Sequence, residues 1–399
     1  MRVTSLFSLT FPCKTMITRV TIRPELFQWA CKRGQVDPDK LEKRFPKYTE
    51  WEKGFSKPTH KQLEHFAKFT HVPIWTLFLK EPPVEEMPIR DLRTMDNQGV
   101  QQPTSNLLDT IYLCLQRQDW YRSFSLEEGE QPLSFVGSAT INSDVQSVAD
   151  EMRSLLHFNE TERKKISSWS NALRYLSGQA ESIGILVMIS GIVGSNTQRK
   201  LNVEEFRGFA LADSLAPLIF VNGVDSIAAQ IFTLSHELAH IWLGQSALSN
   251  ASTALFPDHQ TEQWCNQVAA ELLVPKKSLL LNFQEDRPTP ENLLDLARHY
   301  KVSTIVILRR LLDIGILELD EFFEYYNEEI KLSTSKSRGS EGGNFHATLR
   351  TRVGQRFGSA LVASTFSGDT PFTDAFHYLG IKKTSTLKAF AKSLNINTD

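Results

Sequence analysis

Residues 236–240 read His-Glu-Leu-Ala-His inside a long amphipathic stretch, and few pentapeptides restrict a fold more tightly. On a helix, two imidazoles four residues apart project from one face, where their nitrogens can share one Zn²⁺ ion. The carboxylate of Glu237 lies near such an ion without ligating it, placed to take a proton from water that the ion polarises. A chain with this segment has to bury a helix and bring a third ligand from elsewhere. The arrangement points to peptide hydrolysis rather than to a closed structural metal site.

The flanking sequence supplies a scaffold of that kind. Phe206 to Ala212 and Pro217 to Asn222 are short, apolar and bounded by turn residues, so both read as strands. Asp225-Ser226 is a helix N-cap, followed by Ile227, Ile231, Leu234, Leu238 and Ile241 at helical spacing. His236 and His240 fall on a different side of this helix from Leu234, Leu238 and Ile241, so they are more than part of an apolar stripe. A catalytic zinc usually keeps three protein ligands and one open position. Downstream, Glu262 to Val274 reads as a second helix that Pro275 helps to end. Glu262 and Asn266 stand one turn apart, so one can bind the ion while the other orients a ligand histidine. Glu271, more than two turns further on, competes; spacing alone does not choose, and Glu262 is the preferred candidate. Cys265 reads as a small buried residue rather than a soft ligand.

The string FTLSHELAHIWLG, followed by E-x-x-C-N-x-V-A-A-E-L-L-V-P, resembles the ImmA/IrrE metallopeptidases, gluzincin-like zinc enzymes of bacteria and their mobile elements. The match extends over roughly Gly184 to Gly315. It implies His236, His240 and Glu262 as zinc ligands, Glu237 as general base, and a protein substrate, typically a transcriptional repressor cut at one site. Cys265, Val268 and Val274 stand where the family carries Ala, Phe and Met, exchanges among small or apolar side chains. For an oxyanion-stabilising group beyond zinc, His259, Tyr300 and Arg207 are candidates that no spacing distinguishes.

With 399 residues, two or three cores are expected. Cys13, Cys31, Cys114 and Cys265 are scattered without paired spacing, as expected of reduced thiols in a cytoplasm. No apolar run approaches the ~18 residues needed to cross a bilayer, which argues against a membrane partner. Charge is unevenly spread. Residues 16–80 carry 13 Lys and Arg against 7 Asp and Glu, residues 331–399 carry 10 against 4, and residues 81–330 hold a net −16. Two basic ends therefore flank an acidic middle, so the ends meet a polyanion, an acidic partner or their own middle.

Residues 1–15 read as a disordered or over-extended start. Residues 16–80 form five short helices: Pro24 to Gly34, Asp37 to Phe45, Pro46 to Gly54, Thr59 to Phe69 and Pro73 to Leu79. E-W-E-K-G-F-S-K-P-T, followed by L-E-x-F-A-K-F-T-H-V-P, resembles the XRE-type helix-turn-helix domain. That resemblance implies Lys43, Arg44, Lys47, Tyr48 and Lys53 as DNA contacts, mostly to phosphate. Residues 81–102 open with a proline-rich linker, and Ile89 to Asp96 resembles the family's bridging segment, with Asp91 and Arg93 in structural roles.

The catalytic region is expected at 103–330, with helices around a small sheet whose edge strand could receive an extended peptide. Its 290–315 portion has helix-turn-helix spacing around Arg309-Arg310, read as packing in preference to DNA reading. Residues 331–344 read as a linker and 345–399 as a basic, helical C-terminal region. There Arg350, Arg352 and Arg356 could clamp an acidic partner. The fold class is α+β, predominantly helical: a five-helix N-terminal domain, a zincin-like domain with a small sheet, and a helical C-terminal region. The expected function is a regulatory zinc metallopeptidase acting on a protein such as a repressor, with DNA as a further partner. The competing reading is a non-catalytic, DNA-binding regulator or antitoxin that holds a cognate toxin.

Overall fold

The structure, a computed structural model, describes residues 18–91, 103–249, 259–283, 285, 287–334 and 345–397. Arg93 and most of the 331–344 segment lie outside these residues, and Asp91 is described by its backbone alone. The chain divides into an N-terminal unit up to Glu86, which also takes in Pro103–Ser105, and a larger unit made of the rest from Met87 onward.

The N-terminal unit holds α1 (Pro24–Arg33), α2 (Pro38–Arg44), α3 (Tyr48–Glu52), α4 (His60–Thr70) and a 3-10 turn over Ile74–Phe78. Helix starts follow local chemistry: Asp37 caps α2, and Thr59 and Gln62 form a reciprocal capping box on α4. Leu26, Phe27, Trp51, Leu63 and Phe66 fill its core. Five short helices occupy the stretches where the sequence places them.

The larger unit begins with β1 (Arg90–Asp91), α5 (Ser105–Glu127), α6 (Val145–Leu155), α7 (Glu160–Lys164) and α8 (Trp169–Ser182). Strands β2 (Leu186–Ser190), β3 (Ile192–Val193), β4 (Asn196–Lys200), β5 (Gly208–Leu211) and β6 (Leu218–Asn222) follow. Next come α9 (Ile227–Leu243), β7 (Ala247–Ser249), α10 (Gln260–Leu273), α11 (Lys276–Asn282), α12 (Pro290–Tyr300), α13 (Thr304–Asp313) and α14 (Leu319–Thr334). The chain closes with α15 (Phe345–Val353), α16 (Gln355–Ser367), α17 (Phe372–Leu379) and α18 (Thr384–Ser393). The fold is mostly helical around a small mixed sheet.

That sheet has the order β1-β7-β5-β6-β2. β5 runs antiparallel to both of its neighbours, while β1–β7 and β2–β6 are parallel. Strand periodicity sorts side chains to two faces. Val187, Ile189, Ala210, Ile219 and Val221 join one core with α6, α8, α9 and α10. Leu186, Met188, Phe209, Leu211, Leu218 and Phe220 join the other.

The second face explains the C-terminal helices. Leu349, Val353, Phe357, Leu361, Leu379, Leu387 and Phe390 are buried in the same core as those strand residues. The basic C-terminal region is thus the cover of a sheet face, where apolar strand residues would otherwise meet water. Two of its three candidate arginines serve this attachment, while Arg350 stays exposed and bonds Gln355 of its own segment. Arg352 donates to the Gly194 carbonyl at 3.0 Å, and Arg356 reaches Glu130 at 3.1 Å. Neither is available to clamp an acidic partner.

This cover also closes one sheet edge. Gly354, with φ near +80°, brings α15 and α16 so close to β2 that a Cβ would stand 2.7 Å from the Val187 carbonyl oxygen. The peptide-accepting edge expected of the sheet is therefore not at β2; the opposite edge, among the described residues, is Arg90–Asp91.

Glu181, at the end of α8, accepts the Arg356 backbone N–H at 3.0 Å and so helps start α16. Burial pushes its carboxyl up to about 7, against the opposing pull of those amides and of nearby Arg350 and Arg356. Its ordinary value is 4.5, so the folded chain retains a proton that the unfolded chain releases earlier. That stabilisation is complete below the ordinary value and is lost as pH rises through the folded one. Relative to Glu181→Gln, which cannot titrate, the wild-type thermal midpoint should fall as pH is raised from about 5 to about 8. Parallel midpoint–pH curves for the two proteins would refute this assignment.

Candidate metal centre

Helix α9 begins where the Ser226 hydroxyl accepts the Ala229 N–H at 3.2 Å and ends at Gly244, left-handed with φ near +65°. Between these caps it is buried on almost every side, which is why its polar residues lie inside the protein. α10 lies alongside it, started by His259, whose Nδ1 accepts the Thr261 N–H at 3.1 Å. The pairing of these two helices builds the centre.

His236 Nε2 lies 3.1 Å from Glu262 Oε2, and His240 Nε2 lies 3.0 Å from Glu262 Oε1. The two Nε2 atoms are 3.1 Å apart. His236, His240 and Glu262 form the one group among the described residues whose ligand atoms could hold a metal ion. Ligands about 2.0–2.1 Å from a tetrahedral zinc stand roughly 3.3 Å from one another, so the observed spacing suits that ion with small adjustment.

Donor chemistry agrees. The His236 Nδ1–H donates to Asn266 Oδ1 at 2.8 Å, and an amide oxygen can only accept, so this ring presents its Nε2 lone pair to the cluster. Two ring nitrogens and a carboxylate facing one another inside the protein repel unless positive charge sits among them. Burial alone would lower His236, yet the facing Glu262 carboxylate, with Glu237 and Asn266, holds it up to about 9. Burial would raise Glu262, yet the two imidazoles hold it well below the usual carboxylate range. Burial keeps His240 low despite its contact with Glu262. The cluster demands a cation or a proton, and its N, N and O donors fit zinc.

Glu237 is fully buried beside this cluster and is not one of its three facing atoms. A residue without chemistry of its own makes room for it. A Cβ on Gly208 of β5 would stand 3.0 Å from Glu237 Oε1 and 2.6 Å from Thr233 Cγ2. No chemical motif marks Gly208, although a glycine interrupting the apolar strand FRGFALA is a sign of close backbone approach.

Glu271 is placed elsewhere. Its carboxylate pairs with the Arg310 guanidinium, lies 4.0 Å from Arg153 and accepts the Lys276 N–H at the start of α11. Between the two acids, geometry selects Glu262. Cys265 is buried, and burial with Glu262 and Glu237 nearby pushes its thiol up, as expected of an inert packing residue. Of the oxyanion candidates, Tyr300 is engaged by Ser278 and Asn282, Arg207 pairs with Asp225 at 3.5 Å, and His259 acts as the α10 cap.

In the N-terminal unit, Lys43, Arg44, Lys47 and Lys53 are exposed, and Arg44 lies 5.2 Å from the Phe69 ring centre. Tyr48 corrects the sequence reading. It is a core residue, stacked 5.9 Å from Phe66 with its hydroxyl 3.6 Å from the Cys31 sulfur, and cannot reach a phosphate. In the 290–315 segment, Arg310 is buried against Glu271 and Arg309 pairs with Asp313 at 2.9 Å. This fits packing and leaves neither arginine for DNA.

Comparison with known families follows this geometry. Residues 180–312 match the M78 peptidase family model, described as the IrrE N-terminal-like domain. The matched domain spans β2 through most of α13 and contains all of the cluster. It agrees closely with the Gly184–Gly315 span of the sequence resemblance. Residues 353–393 match a domain of unknown function (DUF8813). No curated protein matches the chain. No helix among the described residues is long and apolar enough to cross a membrane.

Glu271→Ala should leave Arg310 buried without its counter-charge and destabilise the larger unit by about 3–5 kcal/mol. Denaturant unfolding measures this loss. A variant as stable as the parent would show that the pair carries no structural weight.

Proposed function

We propose that this protein is a zinc-dependent peptide hydrolase acting in regulation, with His236, His240 and Glu262 as ligands and Glu237 as general base. The observation that carries the reading is the buried convergence of two Nε2 atoms and one carboxylate at about 3 Å, within a domain matched by a peptidase family. When bound, zinc supplies a Lewis acid that polarises a carbonyl and makes water acidic near neutral pH.

The chain's own residues do the rest. Asn266 fixes the His236 ring and its tautomer through the 2.8 Å contact to Nδ1. Glu262, contributed by the neighbouring helix, balances the positive charge. Glu237, packed over Gly208, takes a proton from water as its oxygen adds to the scissile carbonyl carbon. The C–N bond then breaks, and Glu237 delivers that proton to the departing nitrogen. Burial of the helix holds the Glu237 carboxylate beside the ligand cluster, away from bulk solvent.

The substrate is a protein, on the family resemblance a transcriptional repressor. The exposed Lys43, Arg44, Lys47 and Lys53 support a phosphate-contacting role for the N-terminal unit.

Glu237→Gln keeps the shape and the ligands while removing the base. It should bind zinc with the parent's stoichiometry and lose at least about 100-fold in hydrolysis of the native substrate. Retained cleavage would end the general-base assignment. A regulatory phenotype unaltered by the change would favour the non-catalytic regulator that binds DNA and a toxin. Asn266→Ala should weaken zinc retention by about 10–100-fold in a chelator competition, with the fold intact. Equal retention would remove Asn266 from the site.

A further inference from the structure

The positive charge of the C-terminal region is divided by residue type. Arg352 and Arg356 fasten the region to neighbouring elements, at Gly194, Glu130 and Glu181, whereas its lysines do not. Lys382, Lys383, Lys388 and Lys392 are all exposed, and none has an ion-pair partner among the described residues. From Gly380 to Asn397 the sequence contains no Asp or Glu.

The backbone under these lysines has a particular form. α17 ends at Gly380, left-handed with φ near +66°, and the four residues Gly380 to Lys383 lead into α18. Ala375 and Leu379 of α17, Ile381 of the turn, and Leu387, Phe390 and Ala391 of α18 are buried in one core. α18 thus follows a short, glycine-containing turn, with one face packed in the core and the other in water. The free face of α18 carries the lysines together with exposed Thr384 and Ser385.

We propose that the turn and solvent face of α18 bind duplex DNA through its phosphates, independently of the peptidase reading and of the N-terminal unit. A ten-residue helix is about 15 Å long and slender enough for a major groove about 12 Å wide. Its N-terminal end, where Lys382 and Lys383 stand, adds the favourable helix dipole toward an anion. A membrane surface fits less well, because the exposed positions between the lysines are Ala389, Thr384 and Ser385 rather than large apolar anchors. The 290–315 segment has similar helix spacing but spends Arg309 and Arg310 on Asp313 and Glu271. No structural duty of that kind holds the four lysines.

The test uses the full chain and a labelled mixed-sequence DNA duplex, with affinity measured across a salt series. Changing Lys382, Lys383, Lys388 and Lys392 together to Glu should weaken binding at least about tenfold and reduce the log–log salt slope by about 3–4. The milder Lys382→Gln/Lys383→Gln pair should reduce it by about 2. Both should keep the parent's thermal midpoint, since all four side chains are exposed. With Lys43, Arg44 and Lys47 changed to Glu instead, a salt-dependent component should remain that the four-lysine change abolishes. Unchanged affinity and slope in the folded four-lysine variant overturn the proposal. So does a parent chain that ignores duplex DNA at low salt, or one that prefers poly-glutamate, which would mark an acidic protein as the partner.

Discussion

Helix α9 carries two imidazoles and a carboxylate into the protein interior, and the larger unit is arranged around that burden. Polar groups removed from water need partners nearby. α10 provides them, with Glu262 between the histidines and Asn266 behind one of them. On its other side α9 lies against β5, where Gly208 lets the strand approach the Glu237 carboxylate. A helix enclosed in this way obliges the sheet to be apolar on the face toward it. The strands are apolar on the far face as well, so that face also needs a cover. The C-terminal helices answer the same need to keep apolar and polar groups matched to their surroundings as the His236–His240–Glu262 cluster does.

Arginine and lysine take different parts in this construction. Buried Arg163 donates to the Leu273 carbonyl, and Arg117 donates to the Tyr378 carbonyl at 2.7 Å. Arg310 and Arg352 likewise fasten separate elements. A planar guanidinium with several donors in fixed directions can serve two or more acceptors at once, and it is less strongly hydrated than an ammonium. Lysine, a point charge on a flexible stem, stays in water. Counting both residues as one basic character hides this division in the tail, where Arg352 and Arg356 bind neighbouring elements and the lysines stay in water.

What could be read from the sequence was local. The Ser226 cap, the histidine spacing and the one-turn offset of Glu262 and Asn266 are properties of single helices, and each has its expected form. The strands around Phe209 and Phe220 were likewise marked by length and composition. Tyr48 reads as a surface residue from its charged neighbours, while its place depends on Phe66 from another helix. Glu271 could not be separated from Glu262 until Arg310, 39 positions later, came into contact with it. Nor did the tail show its sheet-covering role, since Phe357 and Phe390 have the same helical spacing in a separate bundle as in a shared core.

The sheet topology restricts how an extended peptide could meet the centre. Sheet addition needs an edge with unpaired backbone groups. β5, which touches Glu237, is central and paired on both sides. At β2 the close approach of Gly354 leaves no space for another strand. The remaining edge is Arg90–Asp91, paired in parallel with Ala247 and Leu248 just beyond the end of α9. Among the described residues, a peptide joining this sheet would have to pair with that edge or displace it. The segment leading into the larger unit thus shares one physical resource, the β7 side of the sheet, with any substrate recognised as a strand.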